Sequence, residues 1–196
     1  LHKKLKKIKK DGHLIIFHHS RHCWKNSPNK FFNNGNQLLF KGIKKFIKKY
    51  PDQKIKLVTL EYGIDVNESK NLIKKLNLEK YVFWLPKLER KEIMTLIPLA
   101  DLGAATFSIP WTSGGVISEF QCLGIPFMQS DNNEIRNDKT MYPYFSTNTE
   151  EEICSTIEYS LINSNQLKEN GINGQNWFLN NVINNPLKEI IKQIEN

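Results

Sequence analysis

The sequence predicts an α/β protein with a Rossmann-like parallel β-sheet sandwiched by helices. Three observations predict it. Five short apolar runs alternate with stretches of helical period along the chain. Pro51, Pro86 and Pro98 stand where elements of that alternation must stop. The chain's 196 residues, 39% hydrophobic and 24% charged, suffice for one substantial core. Alternation of this kind implies βαβ crossovers, parallel pairing and helices on both faces of the sheet.

Residues 13–18 read as a buried strand, and a helix over 36–50 follows with Leu39, Ile43, Phe46 and Ile47 on one face and lysines opposite. Pro51 and Asp52 end it. Residues 55–60 form the second strand, and Asn67 caps a helix running to 76 with Leu72, Ile73 and Leu76 turned inward. The third strand covers 81–85, stopped by Pro86, and a short helix over 89–97 closes at Pro98. The fourth strand spans 102–107, the next helix 115–123, and the fifth strand 126–129. No strand is predicted after Ser130. Thr149-Glu150-Glu151-Glu152 is a capping box opening a helix lined by Ile153, Ile157 and Leu161. A last helix is expected with Asn185 as cap and Pro186 in its first turn, striped by Leu187, Ile190, Ile191 and Ile194.

Composition narrows the classes. No apolar run approaches the ~18 residues of a membrane span, and the most apolar stretch, 96–107, is broken by Asp101. Cys23, Cys122 and Cys154 lack metal or disulfide spacing, which points to a reduced, cytoplasmic compartment; Cys122 is expected in the core. The first residue is Leu1 and no secretory signal follows, so the reading expects a piece of a longer protein or a processed chain. The formal charge is +8, and six lysines crowd between Lys3 and Lys10. Residues 1–12 therefore read as a basic linker or helix ahead of a single domain over 13–196. That segment suits either a solvated surface or contact with an anionic membrane face. It has no aromatic or arginine for stacking, which argues against nucleic acid.

Ligands of an open parallel sheet sit at the carboxyl ends of the strands, near the switch in strand order. Two segments follow strands there. After the first strand come His19, Ser20, Arg21 and His22. After the fourth, Thr112-Ser113-Gly114-Gly115 open a helix that carries Glu119. Glycines at a helix start let an anion approach free backbone N–H groups, where the helix dipole also favours negative charge. Glu119, one turn on, offers two carboxylate oxygens to a pair of vicinal hydroxyls. A phosphate at the cap and a ribose one turn further describe a nucleoside diphosphate. Glutamate on a helix otherwise made of Val116, Ile117, Phe120 and Leu123 needs a partner. His18, His19, His22 and Cys23 form a dense cluster, but neighbouring residues on a strand point to opposite faces, so a polar strand end lining the cleft is expected rather than a metal site. Trp24, Phe31 and Phe32 read equally as a flap over the cleft or as the packing of a long loop.

The segment from Gly114 to Phe127, GGVISEFQCLGIPF, resembles the signature of GT-B glycosyltransferases of the glycosyl transferases group 1 family: a glycine-bearing turn, a glutamate-bearing helix and Gly-x-Pro before the next strand. Ser20-Arg21, Ala100-Asp101 and Glu134-Ile135 fall in matching order, so the similarity runs from about Asp11 to the C-terminus. The resemblance implies that this is the C-terminal, donor-binding half of such an enzyme, with the acceptor (glycan, lipid-linked or small molecule) held by an N-terminal domain outside this chain. It implies a nucleotide-diphosphate sugar as donor substrate, no cofactor and no metal. Glu119 would hold the ribose, and Ser113, Gly114 and Gly115 would cradle the diphosphate. Ser20 and Arg21 would meet the diphosphate as it leaves, and the base would lie against Leu85, Pro86 and Lys87. The helices from Asn176 onward would pack towards the partner domain. Two departures stand out: Trp111 replaces the first glutamate of the family's Glu-x7-Glu pair, and Asn34 replaces a lysine that accompanies the arginine, with Lys30 as a nearby substitute. A nucleotide-sugar epimerase of the same architecture and a non-catalytic basic binding module are the alternative readings.

Overall fold

A computed structural model describes residues 1–195. Six parallel strands form one sheet: β1 (Leu14–His18), β2 (Ile55–Leu60), β3 (Val82–Leu85), β4 (Leu102–Ala104), β5 (Phe127–Gln129) and β6 (Phe145–Ser146), in the order β3-β2-β1-β4-β5-β6. The order reverses between β1 and β4, which opens a crevice at their carboxyl ends. All five residues of β1 are buried, as a central strand covered on both faces requires.

Two apolar layers flank the sheet. Leu14 and Ile16 of β1 face a layer built from α2 (Asn36–Lys49), α3 (Val66–Lys75) and α7 (Glu150–Ile162), in which Leu39, Phe40, Ile43, Phe46, Ile153 and Ile157 are buried. Ile15 and Phe17 face the other layer, from α1 (His2–Lys10), α4 (Arg90–Leu96) and α5 (Gly115–Cys122), with Leu5, Leu96, Ile117 and Phe120. This period-two division of β1 lets it serve both layers at once. The Thr149 capping box forms as expected, and a second one forms at Glu89 with Glu92.

α1 is docked on the domain rather than trailing from it. Leu5 is fully buried, Ile8 packs beside it, and Lys9 bonds the Leu99 carbonyl and pairs with Asp101. The apolar stripe that an interfacial helix would give to lipid is thus spent on the protein's own core, and lysines remain outward. Among the described residues no helix is long and apolar enough to cross a membrane.

Five expectations need correction. Asn67 lies inside α3, whose N-cap position is held by Asp65. A sixth strand exists after Ser130. It is two residues long and is positioned by side chains, which no periodicity can announce: the buried Asp131 carboxylate accepts from Arg136, Tyr144, Ser146 and Asn148. β4 ends at Ala104 rather than 107, because the Phe107 N–H turns to the Asn34 carbonyl. The last helix begins at Asn185, but Asn185 does not cap it, since its own backbone is helical. α8 (Ser164–Phe178) continues through a wide π-turn (Leu179–Asn184) into α9 (Asn185–Glu195), so Pro186 lies inside a helical run, and widened turns just ahead accommodate its missing N–H. Cys122 is exposed, because the apolar face of α5 is carried by Ile117 and Phe120. The helices α6 (Asn133–Asn137) and α8 were not anticipated.

Two predictions follow from this packing. Leu5→Ala, emptying a fully buried site, lowers stability by about 2–5 kcal/mol in urea unfolding, whereas a trailing segment would show no change. For Asp131, burial works to raise the carboxyl pKa, and the hydrogen bonds from Arg136, Asn148, Ser146 and Tyr144 outweigh it and hold it at about 2. A folded pKa below the unfolded value of about 3.9 stabilises the fold above pH ~4, and that contribution is lost as pH falls towards 2. Urea midpoints between pH 5 and 2 decline more steeply for the wild type than for Asp131→Asn.

Candidate functional site

The crevice at the β1–β4 switch holds two adjoining cavities of about 360 Å³ each, both bounded by His19, Tyr62, Gly115 and Val116. The first continues along Ser20, Arg21, Asn34, Trp111, Ser113 and Gly114. The second continues along Lys87, Leu88, Arg90, Ile93 and Glu119. Ser20, Arg21, Ser113, Gly114, Gly115 and Glu119, expected from sequence, therefore share one cleft. Leu85 and Pro86 do not line it: Leu85 is fully buried and Pro86 faces outward, and Lys87 and Leu88 form that wall instead. Strand β3 ends with Leu85 inside the core, so of the three residues expected beside the base only Lys87 reaches the cleft.

Glu119 lies on the inner face of α5 and is 8% exposed. Its Oε2 accepts from His19 Nε2 at 2.6 Å, and its Oε1 pairs with Arg90 Nε at 2.8 Å. The partner that a buried carboxylate requires is thus supplied from β1 on one side and α4 on the other. The Arg90 side chain is 72% exposed, so water screens that pair, while the His19 bond is buried. Arg90, Leu88 and Tyr62 had no site role in the sequence reading, and His19 had only its place at the strand end; Lys87 was expected beside the base and does line the cleft. The signal was present for His19 alone: it is the first residue past β1 at the switch point.

The glycines divide by purpose. A Cβ on Gly35, which has φ +65°, would lie 2.6 Å from the Phe107 carbonyl carbon, so the fold itself demands glycine there. A Cβ on Gly114 would meet nothing within 4 Å, and one on Gly115 only Glu119 Oε1 at 4.0 Å. No side-chain packing requires those two glycines, although the Gly114 backbone, at φ +159°, itself suits glycine; together they leave open the space in front of the N-terminus of α5.

The histidine cluster is largely structural. His18 Nδ1 donates to the Ala104 carbonyl at 2.9 Å, and its Nε2 accepts from Asn36 Nδ2 at 2.8 Å, which assigns a neutral ring. Burial, aided by the proximity of His22, pushes the His18 pKa down to about 3. His22 bonds Ser69 and Thr59, and burial lowers it to about 4. Only His19 of the three lines the cleft. Among the described residues no group of three His, Cys, Asp or Glu side chains gathers as a metal site.

The loop after β1 is fastened by Asp65, whose carboxylate accepts from the backbone N–H groups of Trp24, Lys25 and Asn26. Trp24 is further tied by its indole N–H to Ser69, whereas Phe31 and Phe32 are exposed, and the Arg21 guanidinium lies 5.1 Å from the Phe32 ring centre. Asn34 is buried and donates to the Arg21 carbonyl at 2.7 Å, so it shapes the loop that presents Arg21 and brings no charge. Lys30 does not compensate: it reaches over Phe31 and is absent from the cleft wall. Ser20 donates its hydroxyl to the Ala105 carbonyl, stitching β1 to the end of β4. Trp111 is 43% exposed and forms the cleft wall at the position of the resembled family's first glutamate. Asp101, at the start of β4, accepts from the Ile15 N–H and is a strand-pairing residue, and Glu134 is exposed on α6.

No family model matches this chain, and no curated protein does either. Solved structures do. HepE of Anabaena, in complex with UDP and glucose, superposes with a TM-score of 0.73 at 17% identity over 98% of this chain and 52% of its own. The C-terminal domain of the glycosyl transferase group 1 family protein LpcC from Francisella tularensis matches with a TM-score of 0.68 at 14% identity, covering 93% of each chain. TarM of S. aureus, in complex with Fondaparinux, alpha-GlcNAc-glycerol and UDP, matches with a TM-score of 0.66 at 17% identity over 86% of this chain and 32% of its own. The chain thus has the fold of one Rossmann-like half of the GT-B architecture and spans about half the length of HepE.

The contrast between glycines is testable on the protein alone. Gly35→Ala costs at least about 1–2 kcal/mol, the penalty of a left-handed side chain before any clash. Gly115→Ala, at the first position of α5, leaves the melting temperature unchanged or raises it, since alanine favours the helix by up to ~1 kcal/mol.

Proposed function

We propose that this chain is the donor-binding half of a glycosyltransferase, taking a nucleotide-diphosphate sugar and passing its sugar to an acceptor held by a companion domain. One observation carries the reading. A helix starting at two glycines that no packing requires points its N-terminus into the cleft at the strand-order switch, and a nearly buried carboxylate follows one turn later. HepE and TarM, which share this fold, were solved with UDP.

In this reading the diphosphate sits before Ser113, Gly114 and Gly115, where backbone N–H groups and the helix dipole meet its charge. Glu119 accepts the ribose hydroxyls through Oε1, taking the place of the screened Arg90 contact. Arg21 faces the diphosphate from the β1 loop and is the one Lys or Arg among the described residues lining that cavity. Breaking the sugar–phosphate bond leaves charge on phosphate oxygens, so a cation and fixed dipoles there lower the barrier. The base lies along Lys87 and Leu88. Trp111 supplies an apolar wall where a carboxylate would otherwise meet the donor sugar, and the reading needs neither cofactor nor metal. The chain by itself binds the nucleotide and turns over poorly, because the acceptor site lies elsewhere. The outward lysines of α1 are a surface suited to anionic headgroups at a cytoplasmic membrane face, where a lipid-linked acceptor would be met.

Thermal unfolding with UDP, GDP and ADP tests the proposal. A nucleotide at a hundred times its dissociation constant adds about 2.7 kcal/mol, a rise of roughly 5–10 °C for a chain of this size. One nucleotide should give that rise and lose it in Glu119→Ala. No shift with any of the three at millimolar concentration refutes donor binding by this chain.

A further inference from the structure

We infer that His19 is the positioning residue of the ribose seat: it holds Glu119 Oε2 from within the core so that Oε1 is presented to the ligand's 2′ and 3′ hydroxyls. This rests on the donor-binding reading above. The His19 side chain is 3% exposed and packs against two phenylalanines, its ring centre 5.7 Å from that of Phe17 and 4.9 Å from that of Phe120, the latter edge-on. Those contacts fix the ring plane. Its Nε2–H points at Glu119 Oε2 at 2.6 Å, a buried, charge-assisted bond. A carboxylate pinned at one oxygen cannot rotate about its last bond, so the other oxygen keeps one direction, towards the cleft.

The other ring nitrogen shows what the histidine is for. His19 Nδ1 is buried and has no hydrogen-bond partner among the described residues. An unmatched polar atom in an apolar pocket is a liability that phenylalanine or leucine at this position would not carry. The single bond to Glu119 is the contact that offsets it. His18 and His22, by contrast, have both ring nitrogens matched and belong to the fold. His19 also stands where the two cavities meet, one residue past β1 and across the switch point from α5. The bond therefore ties the strand end to the helix that carries the carboxylate.

A positioning role predicts a change in discrimination rather than a general loss of binding. The probe is whichever of UDP, GDP or ADP binds the intact chain, compared by calorimetry with its 2′-deoxy counterpart. The wild type should prefer the ribonucleotide by tenfold or more, and Glu119→Ala should abolish the preference. His19→Phe, which preserves the packing, should bring the ribo-to-deoxy ratio close to that of Glu119→Ala and leave the deoxynucleotide affinity within about twofold. His19→Gln, whose amide can donate to Oε2, should restore much of the ratio. A folded His19→Phe that keeps the wild-type ratio overturns the inference and leaves the donor reading standing. A wild type that binds none of the three, or makes no ribo–deoxy distinction, overturns the ribose reading itself and the inference with it. Should His19→Phe not fold, side-chain nitrogen NMR of the wild type decides: the His19 signals should shift with the ribonucleotide and not with its deoxy form, and an equal response to both overturns the inference.

Discussion

A carboxylate buried on an apolar helix is the constraint around which this cleft is organised. Glu119 is nearly inaccessible on a helix whose other buried residues are Ile117, Phe120 and Gln121, and such a charge must be met by donors or it destabilises the fold. The donors come from outside the helix, His19 at the end of β1 and Arg90 at the start of α4. That requirement draws three elements to the same point, the place where the sheet reverses its order. The open space in front of α5 then lies beside a fixed acceptor rather than a mobile one.

The same logic recurs in two supporting hubs, each a carboxylate gathering a segment of irregular chain. Asp65 collects the N–H groups of Trp24 to Asn26 and so sets the course of the loop that displays Arg21. Asp131 collects Arg136, Tyr144, Ser146 and Asn148 and so brings the two residues of β6 alongside β5. Asn34 belongs with these organisers. Its amide serves the Arg21 carbonyl, so it keeps the loop in order and brings no charge to the cleft. With Trp111 on the opposite wall, the cleft is more apolar and less cationic than the family resemblance implies.

Much of the fold was legible. Strands β1 to β5 and the helices α2 to α5 and α7 appear where apolar periodicity placed them, with ends moved by a few residues, because each buries a patterned face. Ser20 and Arg21 were legible because they follow a strand directly, and the glycine turn and Glu119 because they open the next helix after β4, in a topology whose ligands bind at that end. What was not legible depended on partners distant in sequence. His19 and Glu119 are a hundred residues apart: the place of His19 just past β1 marks it locally, but nothing in the sequence names the carboxylate it meets. Leu85 and Pro86 fall outside the cleft lining because the depth at which a strand ends is set by the layers packed on it.

By itself the sequence determined the alternation of elements, and so the parallel sheet and the end of it at which a ligand must lie. Period and capping are local properties, decided within a turn or two of each residue. Tertiary structure alone decided which polar groups face each other across the switch point, that β6 exists, that the helix around Pro186 continues, and that α1 docks through Leu5. Those outcomes turn on burial and on the pairing of charges, and both come into being only when the layers close.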